Sequence, residues 1–132
     1  MRIEQGLVSY LTNHAGLSAL VSNRIYAFHA PVNVIFPFIT YQRISTQRYL
    51  SQDQPVNDLV TPRFQFDIYS ETYKSGLLVS DALREALQGY HGLMGEVSVQ
   101  ASLPALEQHI DIPDFDFFRI TIDYQLSFVE EE

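Results

Sequence analysis

The stretch FRITIDYQLSF, residues 118–128, decides the fold class, because its apolar and polar residues alternate without interruption. Every even-numbered position carries a large apolar side chain, and every odd-numbered position carries a polar one. In an extended strand, a period of two places all the apolar side chains on one face. The stretch therefore predicts a long strand with one buried face and one polar face.

Other segments upstream have shorter versions of the same signal. Residues 38–45 follow Pro37 and are rich in β-branched and aromatic side chains, and residues 64–69 and 97–101 alternate between apolar and polar. Residues 106–112 form a weaker strand candidate. Strands patterned on one side only are typical of antiparallel sheets. The expected sheet is therefore mostly antiparallel.

Two amphipathic helices are predicted alongside these strands, and Leu17, Leu20 and Val21 suggest a short helical turn after the first. The apolar residues of 3–11 recur at helical spacing, and Gly16 is expected to end that helix. Residues 74–90 gather their apolar side chains on one helical face, with Ser70 as the expected N-cap and Gly89 as the start of a glycine-rich end. The predicted fold is α+β, a mostly antiparallel sheet with two helices packed on one face.

One domain is expected over residues 1–132, since the sequence shows no repeat and no low-complexity block. Residues 46–62 are polar around a small apolar patch at Tyr49 and Leu50, which predicts a long hairpin or arm. The longest apolar run, residues 34–39, is too short to span a membrane. We expect neither a membrane segment nor a signal peptide.

The charge of the chain disfavours nucleic acid binding, and its uneven distribution suggests a possible contact between copies of the chain. The net charge is -8, which disfavours broad binding to nucleic acid phosphates. Residues 1–66 carry five basic and three acidic groups, whereas residues 67–132 carry three basic and thirteen acidic groups. This asymmetry fits either a solvated acidic surface or complementary faces between neighbouring copies.

Sequence motifs for catalysis are missing. The chain has no cysteine, no phosphate-binding glycine loop, no HExxH helix and no GxSxG elbow. The best candidate for a metal site is the cluster of His109, Asp111, Asp114 and Asp116, but aspartate beside proline is also ordinary turn chemistry. We predict a surface turn there, and no catalytic residue, metal site or cofactor.

A second weak pattern combines aromatic and basic residues. It is typical of a stacking platform for single-stranded nucleic acid, although the net charge disfavours that function. The pattern comprises Tyr41, Tyr49, Phe64, Arg43, Arg48 and Arg63.

Five segments, in this order and spacing, resemble a known family. They are NRIY (residues 23–26), AP (30–31), FPFITYQR (36–43), RFQFDIYS (63–70) and ALREAL (82–87). Together they resemble the tail-completion, or tail-terminator, proteins that join head and tail in long-tailed bacteriophages and prophages. The similarity spans nearly the whole chain and is weakest over residues 46–62 and 92–113.

The resemblance implies a structural role in the virion, at the interface between head and tail. A homo-oligomeric ring, commonly a hexamer, would cap the tail tube, end its polymerisation and bind the head-completion or connector protein. The genome would pass through the lumen without specific binding, and assembly would occur in the bacterial cytoplasm without a membrane. The alternatives are a small metal-dependent hydrolase that uses His109 and the neighbouring aspartates, and an adaptor that binds peptides at a sheet edge.

The candidates for contacts with subunits or partners come from the basic first half, the arm and one helix. Leu77 is expected to be an exposed aliphatic side chain on the polar face of the second helix. The candidate set is Arg43, Arg48, Tyr49, Leu50, Arg63 and Leu77.

Overall fold

The computed structural model describes residues 2–49 and 58–130. Over these residues the chain forms three α-helices and six strands. In chain order they are α1 (Ile3–Thr12), α2 (Ala15–Val21), β1 (Ile25–Ala27), β2 (Phe38–Tyr49), β3 (Asp58–Ser70), α3 (Tyr73–Leu87), β4 (Gly92–Met94), β5 (Val97–Ile112), a 3-10 turn (Pro113–Phe115) and β6 (Phe117–Glu130).

All six strands join one sheet in the order β1-β2-β3-β6-β5-β4. The α+β class is confirmed, but the expectation of a mostly antiparallel sheet is corrected to a mixed one. The short strand β1 lies parallel to β2, while the other neighbouring strands are antiparallel. The connection from Ala27 to Phe38 carries the chain back to the end where β1 began, so β2 runs in the same direction.

Several strands are longer than the sequence predicted. Residues 46–49 of the expected hairpin or arm pair with 59–62, because β2 and β3 continue as a hairpin beyond residue 45. Residues 50–57 lie outside the described residues. The two candidates at 97–101 and 106–112 form one strand, β5, whose register with β6 shifts between Val99 and Ala101 and again between Pro104 and Leu106. Bulges of this kind interrupt the alternation of side chains that the sequence pattern depends on.

The core lies between the sheet and the helices. Alternate residues of β3 and β6, such as Phe64, Phe66, Ile120 and Ile122, are nearly inaccessible to solvent. Helix α3 contributes the other side of this core, with Val79, Leu83, Ala86 and Leu87. The predicted apolar face of α3 is therefore confirmed, as is the one-sided pattern of β6.

Helix boundaries follow capping residues that sequence reasoning misplaced. Helix α1 ends at Thr12, and Gly16 lies inside α2, which begins after His14 as its N-cap. Helix α3 begins after Thr72, whose Oγ1 accepts a hydrogen bond from the Ser75 N–H at 3.1 Å. Ser70, the expected cap, is instead the buried last residue of β3. Both Ser70 and Thr72 can cap α3, and Thr72 does so because β3 continues through Ser70.

The helices pack on one another as well as on strands, and there are three over the described residues where two helices and a short helical turn were expected. The expected turn is α2, which forms a helix of seven residues. Helix α3 contacts β3 and β6, α2 contacts α3, and α1 contacts α2 and β4. The Tyr10 hydroxyl donates a hydrogen bond to the Ala86 carbonyl at 2.6 Å, which ties α1 to α3. No helix of the described residues is long and apolar enough to cross a membrane.

Candidate assembly surfaces

The face of the sheet opposite the core is polar, and we call it the open face. It is formed by the residues that alternate with the core residues on β3 and β6. They are Arg63, Gln65, Asp67, Arg119, Thr121, Asp123 and Gln125. Polar groups in the middle of a sheet need partners, because the neighbouring side chains exclude much of the water. Most of these partners lie on the open face itself, whereas the buried Nε of Arg119 has no hydrogen-bond partner among the described residues.

An ion pair holds the centre of the open face. The Nε and Nη2 atoms of Arg63 lie 3.0 and 2.8 Å from Oδ2 of Asp123. The Asp123 side chain is only 2% exposed, and its Oδ1 has no hydrogen-bond partner among the described residues. Arg63 is therefore the counter-ion of the buried Asp123 carboxylate. Arg63, one of the predicted contact residues, pairs within its own subunit, and its role in an interface stays a prediction.

A second polar group lies beside this ion pair. The Thr121 hydroxyl donates to Oδ1 of Asp67 at 2.6 Å, and the Gln65 amide lies 3.1 Å from Oδ2 of the same carboxylate. Thr121 is buried, although its side chain belongs to the polar face. The open face is thus an ordered polar surface whose charges are balanced across neighbouring strands.

Arg43 points to the opposite side of the sheet from Arg63. Its Nη2 lies 3.0 Å from Oε1 of Glu4 on α1, and its guanidinium lies 5.6 Å from the ring centre of Phe64. Burial alone would raise the pKa of Glu4, but its backbone hydrogen bond and the Arg43 and Arg2 guanidiniums lower that pKa below its usual value. The pair fastens α1 to β2.

The other predicted contact residues have different surroundings. The Arg48 side chain is exposed on the outer half of β2, Tyr49 ends that strand, and Leu50 lies outside the described residues. Leu77 packs against the core and is half-buried, so the prediction of an exposed side chain there is wrong. Its neighbour Leu78 is 50% exposed. The turn of α3 rotates Leu77 towards the core and Leu78 towards solvent.

Sequence reasoning missed a hydrogen-bonded chain of three side chains beside β5. The Tyr73 hydroxyl lies 2.7 Å from Nδ1 of His109, and Nε2 of His109 lies 2.7 Å from Oε2 of Glu107. Arg84 approaches the same carboxylate at 3.5 Å. The chain ties both ends of α3 to β5. No sequence signal joins Tyr73 to His109, since only the packing of α3 brings them together.

Among the described side chains of the candidate metal cluster, His109, Asp111 and Asp116 do not form a ligand set. Residues 109–112 belong to β5, so the predicted surface turn is confirmed only over residues 113–116. Asp116 follows the 3-10 turn with a φ of 55°. The structure does not describe the side chain of Asp114. Among the described residues, no three His, Asp or Glu side chains are grouped to hold a metal ion. A cavity of about 200 Å³ borders His109, lined also by Tyr73 and Phe118.

Exposed apolar side chains gather at the end of the sheet where β2 begins. Val32 and Ile35, in the connection between β1 and β2, are 90% and 67% exposed. The rings of Phe36 and Phe115 both approach Phe117, at 5.9 and 6.0 Å between centroids. Exposed apolar groups concentrated in one place are typical of contact surfaces. No single segment predicts this surface, because residues 32–36 and 115–117 are far apart in the chain.

Comparison with known proteins relates this fold to a family. The sequence model of the family described as Tail completion protein gp17 matches residues 5–128. A chain of the structure titled "Virion of native gene transfer agent (GTA) particle" is similar with a TM-score of 0.77 and 14% sequence identity, over 96% of this chain and 94% of that one. At this identity the likeness shows a shared fold alone. No curated protein matches the sequence. Because the family match covers nearly all of the chain, the protein belongs to the tail completion protein family.

Proposed function

We propose that this protein is a structural subunit that caps the tail tube of a phage or prophage as a ring, ends tube polymerisation and joins the tail to the head connector. The observation that carries the proposal is the family match over residues 5–128. The fold shared with a chain from a virion is consistent with it. The protein then resides in the virion at the interface between head and tail.

A ring, with six copies as the expected number, suits the charges and surfaces of this chain. Adjacent copies in a ring contact each other through two different surfaces, and the two halves of the chain differ in the sign of their charge. An acidic ring repels DNA phosphates, so the genome slides through the lumen without being held. The open face is suited to a lumen that does not bind DNA, because its arginines are balanced by aspartates and present no excess positive charge to the phosphates.

The other partners are the tail tube protein on one side and the head-completion or connector protein on the other. The exposed apolar residues at the end of the sheet provide one surface for such a partner, since apolar anchors supply most of the affinity of an interface. The protein acts without a cofactor and without catalysis. Arg43, Arg48, Arg63, Tyr49, Leu50 and Leu77 remain the proposed contact residues, and the exposed Leu78 joins them.

Deletion of the gene in the phage or prophage tests the role. Electron microscopy should show free heads together with unjoined tails of irregular length, and added purified protein should restore joined particles. Normal particles in the deletion strain would contradict the proposal. Mass measurement of the purified protein tests the ring separately, because a closed oligomer gives one discrete mass.

Substitution of Leu78 tests the helical contact, with Leu77 as its comparison. Leu78→Asp should leave the melting temperature of the subunit nearly unchanged, because the side chain is already half exposed, yet weaken ring formation or head joining. Leu77→Asp should lower the melting temperature, since that side chain packs on the core. Normal assembly of the Leu78 variant would remove Leu78 from the contact surface.

A further inference from the structure

Four aromatic rings form a closed circuit at the end of the open face where β2 begins. Phe38 stacks on Tyr69 with 4.8 Å between ring centroids, and Tyr69 lies 5.7 Å from Phe117. Phe36 completes the circuit, at 5.9 Å from Phe117 and 5.2 Å from Phe38. Because each ring packs on two others, the four residues form one continuous surface, which we call the aromatic floor.

Exposed apolar side chains accompany the aromatic floor. Val32 and Ile35 lie in the connection that leads to Phe36, and the ring of Phe115 lies 6.0 Å from that of Phe117. Val32, Ile35 and Phe115 are all more than half exposed. An apolar surface of this kind is typical of a site that another protein covers.

Arg119 is a cation directly beside the aromatic floor. It lies opposite Tyr69 on β3 and opposite Ile110 on β5, two residues along β6 from Phe117. Its Nε is buried without a hydrogen-bond partner, and its guanidinium forms no ion pair with the described residues. A buried N–H without an acceptor is unfavourable, so a carboxylate brought to this place would stabilise the contact.

Other arginines of the chain already have such a partner. The guanidiniums of Arg43, Arg63 and Arg84 each lie within 3.5 Å of a carboxylate oxygen. The buried Oδ1 of Asp123 also lacks a partner, but Asp123 is four residues from Arg119 along β6, a distance of about 13 Å. The described part of the subunit therefore provides no acceptor for Arg119.

We propose that this end of the open face binds a segment of another virion protein in which a carboxylate lies next to an apolar side chain. The carboxylate pairs with Arg119, and the apolar side chain packs on the aromatic floor and on Phe115. The proposal rests on the joining function described above and deepens it, because it states what the neighbouring protein presents to this subunit.

The chemistry of the surface selects a carboxylate beside an apolar group. A planar guanidinium donates two parallel hydrogen bonds to a carboxylate, and such charged bonds are about twice as strong as neutral ones. Arginine and aromatic side chains are enriched in the buried centres of protein interfaces. Since Arg119 and the aromatic floor are adjacent, one short segment of the partner satisfies both.

A protein segment fits this surface better than DNA does. Binding to nucleic acid depends on several cations that neutralise neighbouring phosphates. Arg24, which precedes β1, instead donates to the carbonyls of Pro37 and Leu20 at 3.0 and 3.3 Å. The exposed Val32 and Ile35 are also better matched by apolar side chains than by a sugar-phosphate backbone.

The position of the aromatic floor favours a different protein over a second copy of this chain. Phe38 and Phe117 are the first residues of β2 and β6, and Tyr69 is the last but one of β3. The floor therefore lies at strand ends rather than along an edge strand. Copies in a ring contact each other through two other surfaces. A protein at the end of the sheet reaches the floor without displacing either neighbour.

Particles from the deletion strain provide the probes for this contact. Purified heads and purified tails are incubated separately with the protein, and the bound protein is measured after sedimentation. Arg119→Gln should lower binding to one kind of particle about tenfold, with binding to the other and the mass of the purified oligomer unchanged. Lys74→Gln removes one positive charge at an exposed position on α3 and is the matched control, with binding to both particles within about twofold of wild type.

The same assay separates the other occupants. Unchanged binding of Arg119→Gln to both particles, or an equal loss on both, overturns the proposal. A changed oligomer mass assigns the surface to a second copy and overturns it as well, and so does loss of wild-type binding after nuclease treatment of the particles, which assigns the surface to DNA. If the wild-type protein binds neither heads nor tails, the joining function fails together with this proposal.

Thermal unfolding separates a docking role of Arg119 from a structural one. The side chain has no partner among the described residues, so Arg119→Gln should leave the melting temperature nearly unchanged. Arg63→Ala should lower it, because Arg63 is the counter-ion of Asp123. Equal decreases in the two variants would show that Arg119 supports the fold, and would overturn its assignment as a docking residue.

Salt and charge reversal test the partner's carboxylate. Binding of the wild-type protein to the affected particle should weaken as the NaCl concentration rises, and binding of Arg119→Gln should depend less on salt. Arg119→Glu should bind more weakly than Arg119→Gln, because two carboxylates then face each other. Tighter binding of Arg119→Glu than of Arg119→Gln would overturn the assignment of a carboxylate.

Phe115→Ser tests the apolar part of the contact. The ring is 71% exposed, so the melting temperature should stay nearly unchanged while binding to the same particle falls about fivefold. Leu93→Ser is the matched control, because Leu93 is 63% exposed but lies on β4, at the edge of the sheet opposite β1. It should leave binding within about twofold of wild type. Equal losses in the two variants would overturn the contact with the aromatic floor.

Discussion

The two faces of the central sheet are made by the same strands and are held together in different ways. On the core face, Phe66 and Ile122 lie opposite each other and lose nearly all contact with solvent. On the open face, one residue along the same strands, Asp67 lies opposite Thr121 and hydrogen-bonds to it. Burial of apolar area is not directional, whereas a polar pair depends on the position of each atom.

This difference predicts how the two faces respond to substitution. A core side chain stabilises the fold through the area and volume it fills. The free energy of unfolding that a substitution costs should therefore scale with the number of atoms removed. An open-face side chain stabilises the fold through its hydrogen-bond or ion-pair partner. The free energy of unfolding that a substitution costs should therefore depend on which member of the pair is removed. Four variants sharpen the comparison, and their expected effects decrease in the order given.

Phe66→Ala should have the largest effect. The side chain is fully buried, so its removal should lower the free energy of unfolding by about 4 kcal/mol, measured by urea denaturation. Gln65→Ala, its neighbour on the open face, is the control and should cost less than about 1 kcal/mol. Equal losses would mean that the two faces are not energetically distinct.

Arg63→Ala should come next, because it leaves the buried Asp123 carboxylate without its counter-ion. The expected loss is about 3 kcal/mol in the free energy of unfolding at neutral pH. The double variant Arg63→Met with Asp123→Leu removes both charges. Its free energy of unfolding should fall by less than that of Arg63→Ala alone. If the double variant is the less stable of the two, the ion pair itself stabilises the sheet.

Thr121→Val should have a smaller effect, since the substitution keeps the volume and removes one hydroxyl. The Asp67 carboxylate keeps the Gln65 amide as a partner, so the loss should be about 1 kcal/mol. Urea denaturation of Thr121→Val beside Thr121→Ser separates the two contributions, because serine keeps the hydroxyl. The serine variant should lose stability through its missing methyl group and retain the hydrogen bond.

Glu4→Gln should have the smallest effect and the clearest dependence on pH. The pKa of Glu4 is lowered in the folded protein from its ordinary value of 4.5, so its ionised form stabilises the fold at neutral pH. That contribution is lost as the pH falls below about 4.5 through the folded pKa. The stability difference between wild type and variant, less than about 1 kcal/mol at pH 7, should shrink in acid. A difference that grows in acid would contradict the assignment of the Glu4–Arg43 pair.

Local periodicity predicted the elements that depend on one segment at a time. The alternation over residues 118–128 gave β6, the helical stripe of residues 74–90 gave α3, and Gly89, with a φ of 72°, follows the end of that helix as expected. The order of five short motifs gave the resemblance that the family match over residues 5–128 confirms. These signals are visible in the sequence because strand and helix periods are properties of neighbouring residues.

Tertiary structure decided everything that depends on which segments meet. The parallel pairing of β1, the continuation of β5 through two register shifts and the choice of Thr72 over Ser70 as a cap follow from contacts distant in sequence. The burial of Asp123, the contact of Tyr73 with His109 and the rotation of Leu77 towards the core do so as well. The period of a segment fixes which side chains share a face, but only packing fixes what that face contacts.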